Sequence, residues 1–279
     1  MDKLTILNTV LAENQVALFY LGQEGFLIKH RDIYILVDPY LSDYVDRHCC
    51  SETVKWVRNY PAPIKSSELD FVDYVLCTHA HFDHADPDTL SALAKCNSKA
   101  IFIAPEPMKA TLLSYGIIPE RIIGAIADET LVLNSCNITP IPSEHEELHT
   151  DENGNYMELG YRINVVDASI YHAGDCCIFD GLVDRLMNVD VLMVPIKGRS
   201  YFKRYEDDII GNMTAEEAVI LAQKTNANMI VPMHYDLYSV NCVNPAHFID
   251  TLHAINPSQK FHMFVPGECY IIEKRRCCK

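Results

Sequence analysis

The chain is short of positive charge. Lys and Arg number 23 against 38 Asp and Glu, which leaves a formal net charge of −15 over 279 residues. A surface of that sign repels nucleic-acid phosphates and anionic membranes at long range, so neither is expected as a partner. No apolar run approaches the roughly 18 residues that span a bilayer. The 11 cysteines contain no Cys-x-x-Cys. Their count is odd, and six of them form three adjacent pairs, Cys49-Cys50, Cys176-Cys177 and Cys277-Cys278. Adjacent cysteines seldom bond to each other and no leader peptide precedes them, so the expectation is reduced thiols in a cytoplasmic protein. The basic tail Lys274–Lys279 lacks a prenylation signal, because Arg276 stands fourth from the end; it reads as a frayed terminus. Tryptophan occurs once, at Trp56.

What is there is a large apolar fraction and one dense polar motif. Hydrophobic residues make up 49% and charged residues 22%, a globular composition. The length suits one or two domains. Nine residues, Thr78-His79-Ala80-His81-Phe82-Asp83-His84-Ala85-Asp86, hold three imidazoles and two carboxylates. They follow an apolar run at 71–77 that reads as a buried strand. They precede Pro87–Ala94, a helix with proline in its first turn. The motif thus occupies a loop at the carboxyl end of a strand, where α/β proteins place their ligands. Residues two apart on extended backbone point the same way, so His79 and His81 can grip one metal ion. Asp83 and His84 come after the turn begins and can face a second. Nitrogen and carboxylate donors suit zinc, manganese or iron.

Before the motif, 2–14 reads as a short helix or arm. Strands at 16–21, 26–29 and 33–37 form a meander that ends on Asp38-Pro39. Residues 43–70 are irregular and read either as a surface excursion or as a wall beside the site. After the motif come a strand at 100–104, a helix at 105–115 and short strands at 121–126, 130–134 and 136–141. The last delivers His145 and, further into a loop, His149. A hairpin over 157–172 delivers Ala173-Gly174-Asp175. The strand 189–195 opens onto Lys197-Gly198-Arg199-Ser200-Tyr201-Phe202-Lys203-Arg204, four cations in a chain otherwise acidic. Thr214 and Glu217 make a capping box for a helix to about 224. The strand 229–233 presents His234-Tyr235-Asp236. A helix at 245–254 and two short strands close the chain. No short-period repeat is present. Two similar halves packed sheet to sheet, in a single domain over 1–279, fit this order.

The His-x-His-x-Asp-His motif resembles the signature of the metallo-β-lactamase superfamily, which implies a four-layer αββα sandwich, an α/β fold with a one- or two-metal site at one edge. Several further segments together resemble the L-ascorbate-6-phosphate lactonase group of that superfamily. They are Leu21-Gly22-Gln23-Glu24-Gly25-Phe26, Val37-Asp38-Pro39-Tyr40-Leu41-Ser42, Tyr171–Asp175, Pro195–Arg199, Ile209–Met213 and Val231–Asp236. Lys197 stands where that group is expected to carry Asn before Gly-Arg, and the loop from Glu144 to Tyr156 also differs.

The resemblance implies a binuclear hydrolase using two divalent ions, Mn²⁺ or Zn²⁺. His79, His81 and His145 hold one ion, with His149 the alternative to His145. Asp83, His84 and His234 hold the other. Asp175 bridges them with a water-derived hydroxide, and Asp38 orients a ligand from behind. Asp83 or Asp175 passes a proton to the leaving group. Lys197, Arg199, Lys203 and Tyr235 are candidates to hold a small anionic substrate carrying phosphate. The reaction implied is opening of a lactone of a phosphorylated sugar acid. The alternative is a phosphodiesterase for small or cyclic nucleotides. A di-iron oxidoreductase is disfavoured because His81 stands where such proteins carry Glu. A nuclease is disfavoured by the charge and by the lack of an RNA-clamping insertion. A homo-oligomer is compatible with all of this.

Overall fold

The structure, a computed structural model, describes residues 1–134 and 136–274. The basic tail from Arg275 onward, including Cys277 and Cys278, lies outside the described residues. Among the described residues fourteen strands run in order: β1 (Gln15–Gly22), β2 (Gly25–His30), β3 (Ile33–Val37), β4 (Tyr74–Leu76), β5 (Ile101–Pro105), β6 (Ile122–Ala125), β7 (Leu131–Val132), β8 (Cys136–Pro142), β9 (Leu159–Val165), β10 (Ala168–His172), β11 (Val191–Pro195), β12 (Met229–Met233), β13 (Lys260–Phe261) and β14 (Cys269–Glu273). Eight α-helices connect them: α1 (Lys3–Asn8), α2 (Tyr44–His48), α3 (Pro87–Cys96), α4 (Lys109–Ser114), α5 (Leu182–Arg185), α6 (Tyr201–Glu206), α7 (Ala215–Lys224) and α8 (Ala246–Ile255).

Alternation along the strands sorts apolar side chains onto two faces. In β1, Val16, Leu18 and Tyr20 face one core, while Ala17, Phe19 and Leu21 face another. The first core lies between the sheets and joins those residues to Ile163, Met193 and Val231 of the second half. The second lies under α3 and α4, with Leu90, Leu93 and Leu112. A third lies under α7 and α8, with Val219, Leu221, Phe248 and Leu252. Three apolar seams between four layers make the αββα sandwich expected from the sequence.

One sheet has the order β14-β1-β2-β3-β4-β5-β6 and the other β13-β12-β11-β10-β9-β8-β7. The two closing strands part company. β13 extends the second sheet, whereas β14 crosses back and pairs antiparallel with β1. That crossing covers an edge of the meander that would otherwise expose unpaired backbone groups.

Helix starts follow the explicit caps. Asp86 caps α3 through Asp88 N at 3.1 Å, with Pro87 in the first turn. Thr214 and Glu217 form their capping box at 3.2 and 2.9 Å. The helices expected over 2–14 and 105–115 are shorter. The Lys29 ammonium accepts the role of a stop for α1, donating to the carbonyls of Ile6, Leu7 and Thr9 at 2.7–2.9 Å. Pro107 lies in a single 3₁₀ turn before α4. The nine described cysteines are all unbridged, and no described helix is long and apolar enough to cross a membrane.

Candidate metal centre

The candidate side chains come from strand ends of both sheets. The first sheet contributes Asp38 after β3 and His79, His81, Asp83 and His84 after β4. The second contributes His145 after β8, Asp175 after β10 and His234 after β12. They fall into two groups whose donor atoms lie close enough to share an ion. One is His79, His81, His145 and Asp175, and the other is Asp83, His84 and His234. His79 Nε2 and His81 Nδ1 stand 2.9 Å apart. Asp175 lies between the groups. Its Oδ2 is 3.4 Å from His145 Nε2, while its Oδ1 is 3.3 Å from His234 Nε2 and 3.6 Å from His84 Nε2. Asp83 Oδ2 is 3.7 Å from both His84 Nε2 and His234 Nε2.

The electrostatics match metal-binding chemistry. Burial pushes His145 down to about 3 and His234 down to about 4. Burial also holds His79 well below the usual histidine range and lowers His81. These rings are neutral at pH 7 and offer lone pairs, as ligands must. His84 is opposite: burial works against its charge, but Asp83, Asp175 and Asp38 outweigh it and raise the ring well above its usual value. Burial likewise opposes the Asp175 carboxylate, yet His234, Lys197, His145 and His84 hold it well below the carboxylate range. Nε2 of His84 is buried without a hydrogen-bond partner. A buried ring nitrogen left open among carboxylates calls for an occupant, and the nitrogen and oxygen donor set fits a divalent transition ion.

A hydrogen-bonded frame holds these groups from behind. Asp38 Oδ1 accepts from Thr78 N at 2.8 Å. Its Oδ2 accepts from Thr78 Oγ1 at 2.6 Å and lies 2.8 Å from His84 Nδ1. That contact sets the His84 ring with Nε2 facing Asp83 and Asp175. Gly174 has φ +61°, and a Cβ there would sit 2.7 Å from Thr78. The glycine before Asp175 therefore admits the Thr78 side chain, drawing a loop of one sheet against a loop of the other. Asn212 donates to Asp175 Oδ1 at 2.8 Å. Asp38→Asn is expected to weaken metal binding about 10- to 100-fold, the usual cost of losing a carboxylate behind a ligating histidine; a chelator-competition titration measures it.

Two residues of the β1–β2 turn enter the centre unannounced by the sequence, where 22–25 reads as a plain turn. The Gln23 side-chain amide is 2.8 Å from Asp83 Oδ2 and 3.1 Å from His234 Nε2. Glu24 is fully buried, and burial together with the neighbouring Asp175 raises its carboxyl well above the usual range. Gln23, Asp38 and His234 all adopt left-handed backbone, with φ of 57°, 43° and 54°. Such strain in non-glycine residues, about 1–3 kcal/mol each, concentrates at functional sites.

Above the centre opens a cleft of ≈ 350 Å³ floored by His81, Asp83 and His145. Val45, Val54, Trp56 and Phe82 make an apolar wall, with Ile209, Ile210 and Asn241 opposite. Within the irregular stretch 43–70, Val45, Cys49, Ser51, Val54 and Trp56 thus line the cleft. A smaller recess lined by Lys197, Gly198, Arg199, Ser200 and Lys203 shares Ile209, Ile210 and Asn241 with it. Lys197 makes no ion pair with a described residue. Arg199 is turned to Glu217 of α7, which takes up its charge. Tyr235 corrects the sequence reading: it is buried in the core under α7 and α8, its hydroxyl donating to the Phe264 carbonyl at 3.4 Å, so it is not presented to a substrate. His149 stands outside the cluster, half-exposed, beside Glu147 and Glu158.

Comparison with known proteins follows the same lines. A family model described as a beta-lactamase superfamily domain matches residues 34–235. A UPF0173 metal-dependent hydrolase of Caldivirga maquilingensis is 26% identical over 89% of this chain and 95% of its own. Among solved structures, Igni18, a metallo hydrolase from Ignicoccus hospitalis, superposes with a TM-score of 0.67 at 22% identity, over 94% of this chain and 100% of that one. An isothiocyanate hydrolase from Delia radicum gut bacteria gives 0.71 at 19% identity, over 92% and 100%. The structural likenesses speak for the fold, and the family model covers most of the chain. With two seven-stranded sheets meeting at a His/Asp cluster on their strand ends, this chain belongs to the metallo-β-lactamase superfamily.

Proposed function

We propose that the chain is a metal-dependent hydrolase with a two-ion centre that opens the lactone of a phosphorylated sugar acid. The observation supporting this reading is the junction of cleft and recess. A substrate lying across Ile209, Ile210 and Asn241 would place its reacting carbonyl over the cluster and an anionic group beside Lys197 and Lys203. His79, His81 and His145 would hold one ion, Asp83, His84 and His234 the other, with Asp175 between them. Two divalent ions held there, Mn²⁺ or Zn²⁺, would supply a water of lowered pKa and Lewis-acid polarisation of the bond under attack.

The chain's own groups do the rest. Asn212 fixes one Asp175 oxygen, so the carboxylate keeps its place between the two groups while charge develops. Asp83, less enclosed than His84 and His234 of its own group, is placed to carry a proton to the leaving oxygen. The wall of Val54, Trp56 and Phe82 excludes water from the sugar face. Lys197 binds the anionic end and, being close to the cluster, also favours the anionic form of Asp175.

The test is a panel of sugar-phosphate lactones, cyclic nucleotides and generic phosphodiesters, assayed separately with Mn²⁺ and Zn²⁺. Lactone turnover is the expected result. Turnover of cyclic nucleotides with none of the lactones would replace this reading by the phosphodiesterase one. Lys197→Ala is expected to raise KM for the phosphorylated substrate about 10- to 100-fold, the worth of a charged hydrogen bond, with kcat little changed. A de-phosphorylated lactone should show no such rise.

A further inference from the structure

Glu24 occupies the turn between β1 and β2, where a polar side chain ordinarily faces water. Here it is fully buried, and neither carboxylate oxygen has a hydrogen-bond partner. An unpaired acid in such a place is strongly disfavoured unless something compensates it. Its protein neighbours do not. Asp175, Asp38 and Asp83 add charge of the same sign. His172 is fully engaged: its Nε2 meets the Glu24 backbone carbonyl at 2.7 Å, and its Nδ1 accepts from Gly174 N at 3.2 Å. His84 Nδ1 lies 4.0 Å from Glu24 Oε2 and is already held by Asp38 at 2.8 Å. One donor atom each from Glu24, His84 and Asp175 nevertheless fall within 4.8 Å of one another, a span that one ion can bridge.

We propose that Glu24 is a further ligand of the second ion, reaching it from the protein interior beside His84 and Asp175. The inference rests on the two-ion reading above and deepens it. The second position then has three carboxylates, from Glu24, Asp83 and Asp175, and two imidazoles. The first has three imidazoles and a share of Asp175. Oxygen-rich donor sets favour manganese, and imidazole-rich sets favour zinc. The two positions should therefore differ in metal preference, with the harder ion beside Glu24.

Glu24→Gln keeps the side-chain volume and removes the charge. After loading with Mn²⁺ and a chelator wash, wild-type protein should retain two ions per chain and the variant one. A Mn²⁺ titration followed by electron paramagnetic resonance should show the second Kd raised about 10-fold or more. Equal stoichiometry and equal second Kd in both proteins would overturn the assignment. Should the variant fail to fold, a crystal structure of Mn²⁺-loaded wild type decides. A Glu24 oxygen at about 2.0–2.2 Å from the second ion supports the proposal, and a Glu24 carboxylate bonded only to protein or water overturns it. A wild type that takes up a single ion overturns both this assignment and the two-ion reading. A protein inactive on every lactone, whose second Kd still depends on Glu24, sinks the substrate reading alone.

Discussion

Asp175→Asn is expected to lower kcat/KM by about 10²–10³, the range seen when one preorganised charge-stabilising group is removed from an active site. The reasoning starts from its two oxygens. Oδ2 is directed at His145 and Oδ1 at His84 and His234, so one carboxylate serves both groups of ligands. An asparagine keeps the shape but places a neutral amide, half of it a donor, against nitrogens that must all present lone pairs. Asn212, which donates to Oδ1 at 2.8 Å, would then meet either an amide oxygen or an N–H. The loss should fall on kcat more than on KM, because Asp175 lies beneath the cleft and, on the proposed reading, Lys197 would still hold the anionic end. Steady-state kinetics with metal analysis on the same samples checks the claim. A variant with wild-type kcat would show that Asp175 is only a structural carboxylate.

His81→Ala should remove the ion of the imidazole-rich group and with it nearly all turnover. His81 is the most exposed member of its group, the others being buried. Its truncation therefore opens space toward the cleft without emptying a core position, and folding should survive. The expected results are a near-native thermal transition in metal-free protein, loss of one ion per chain and activity down at least about 10²-fold. Full metal content with full activity would sink the site model. The contrast with Asp175 is informative: His81→Ala affects one group of ligands, Asp175→Asn affects both.

The sequence made the ligand groups legible because their signal is local. Spacing of two residues sets His79 and His81 together, the strand end before His145 offers it as a ligand, the resemblance to the superfamily marks Asp175 and His234, and caps at Asp86 and Thr214 mark where helices start. What stayed hidden depends on contacts between distant segments. Gln23 and Glu24 read as ordinary turn residues, and only the closure of the second sheet over that turn buries them. Tyr235 follows His234, whose left-handed backbone ends the regular alternation of β12 and leaves the ring under the sheet. Arg199 and Arg204 read as two of four cations in one loop, yet Glu217, 18 positions later, takes up the first, and Glu146 and Asp208 take up the second. The crossing of β14 to the first sheet was illegible for the same reason, since two short terminal strands carry no mark of which sheet they join.

The ligand-bearing loops come from both sheets, four residues from the strand ends of one and three from the other. Ions held there would join the sandwich along its edge, so their binding free energy would enter the free energy of folding. Thermal stability would become a function of free metal concentration, rising by RT ln(1 + [M]/Kd) for each occupied site, about 2.7 kcal/mol at a hundredfold excess over Kd. The unfolding midpoint of this protein would then report the metal supply of its surroundings, and stability compared between preparations would have meaning only at a stated metal activity.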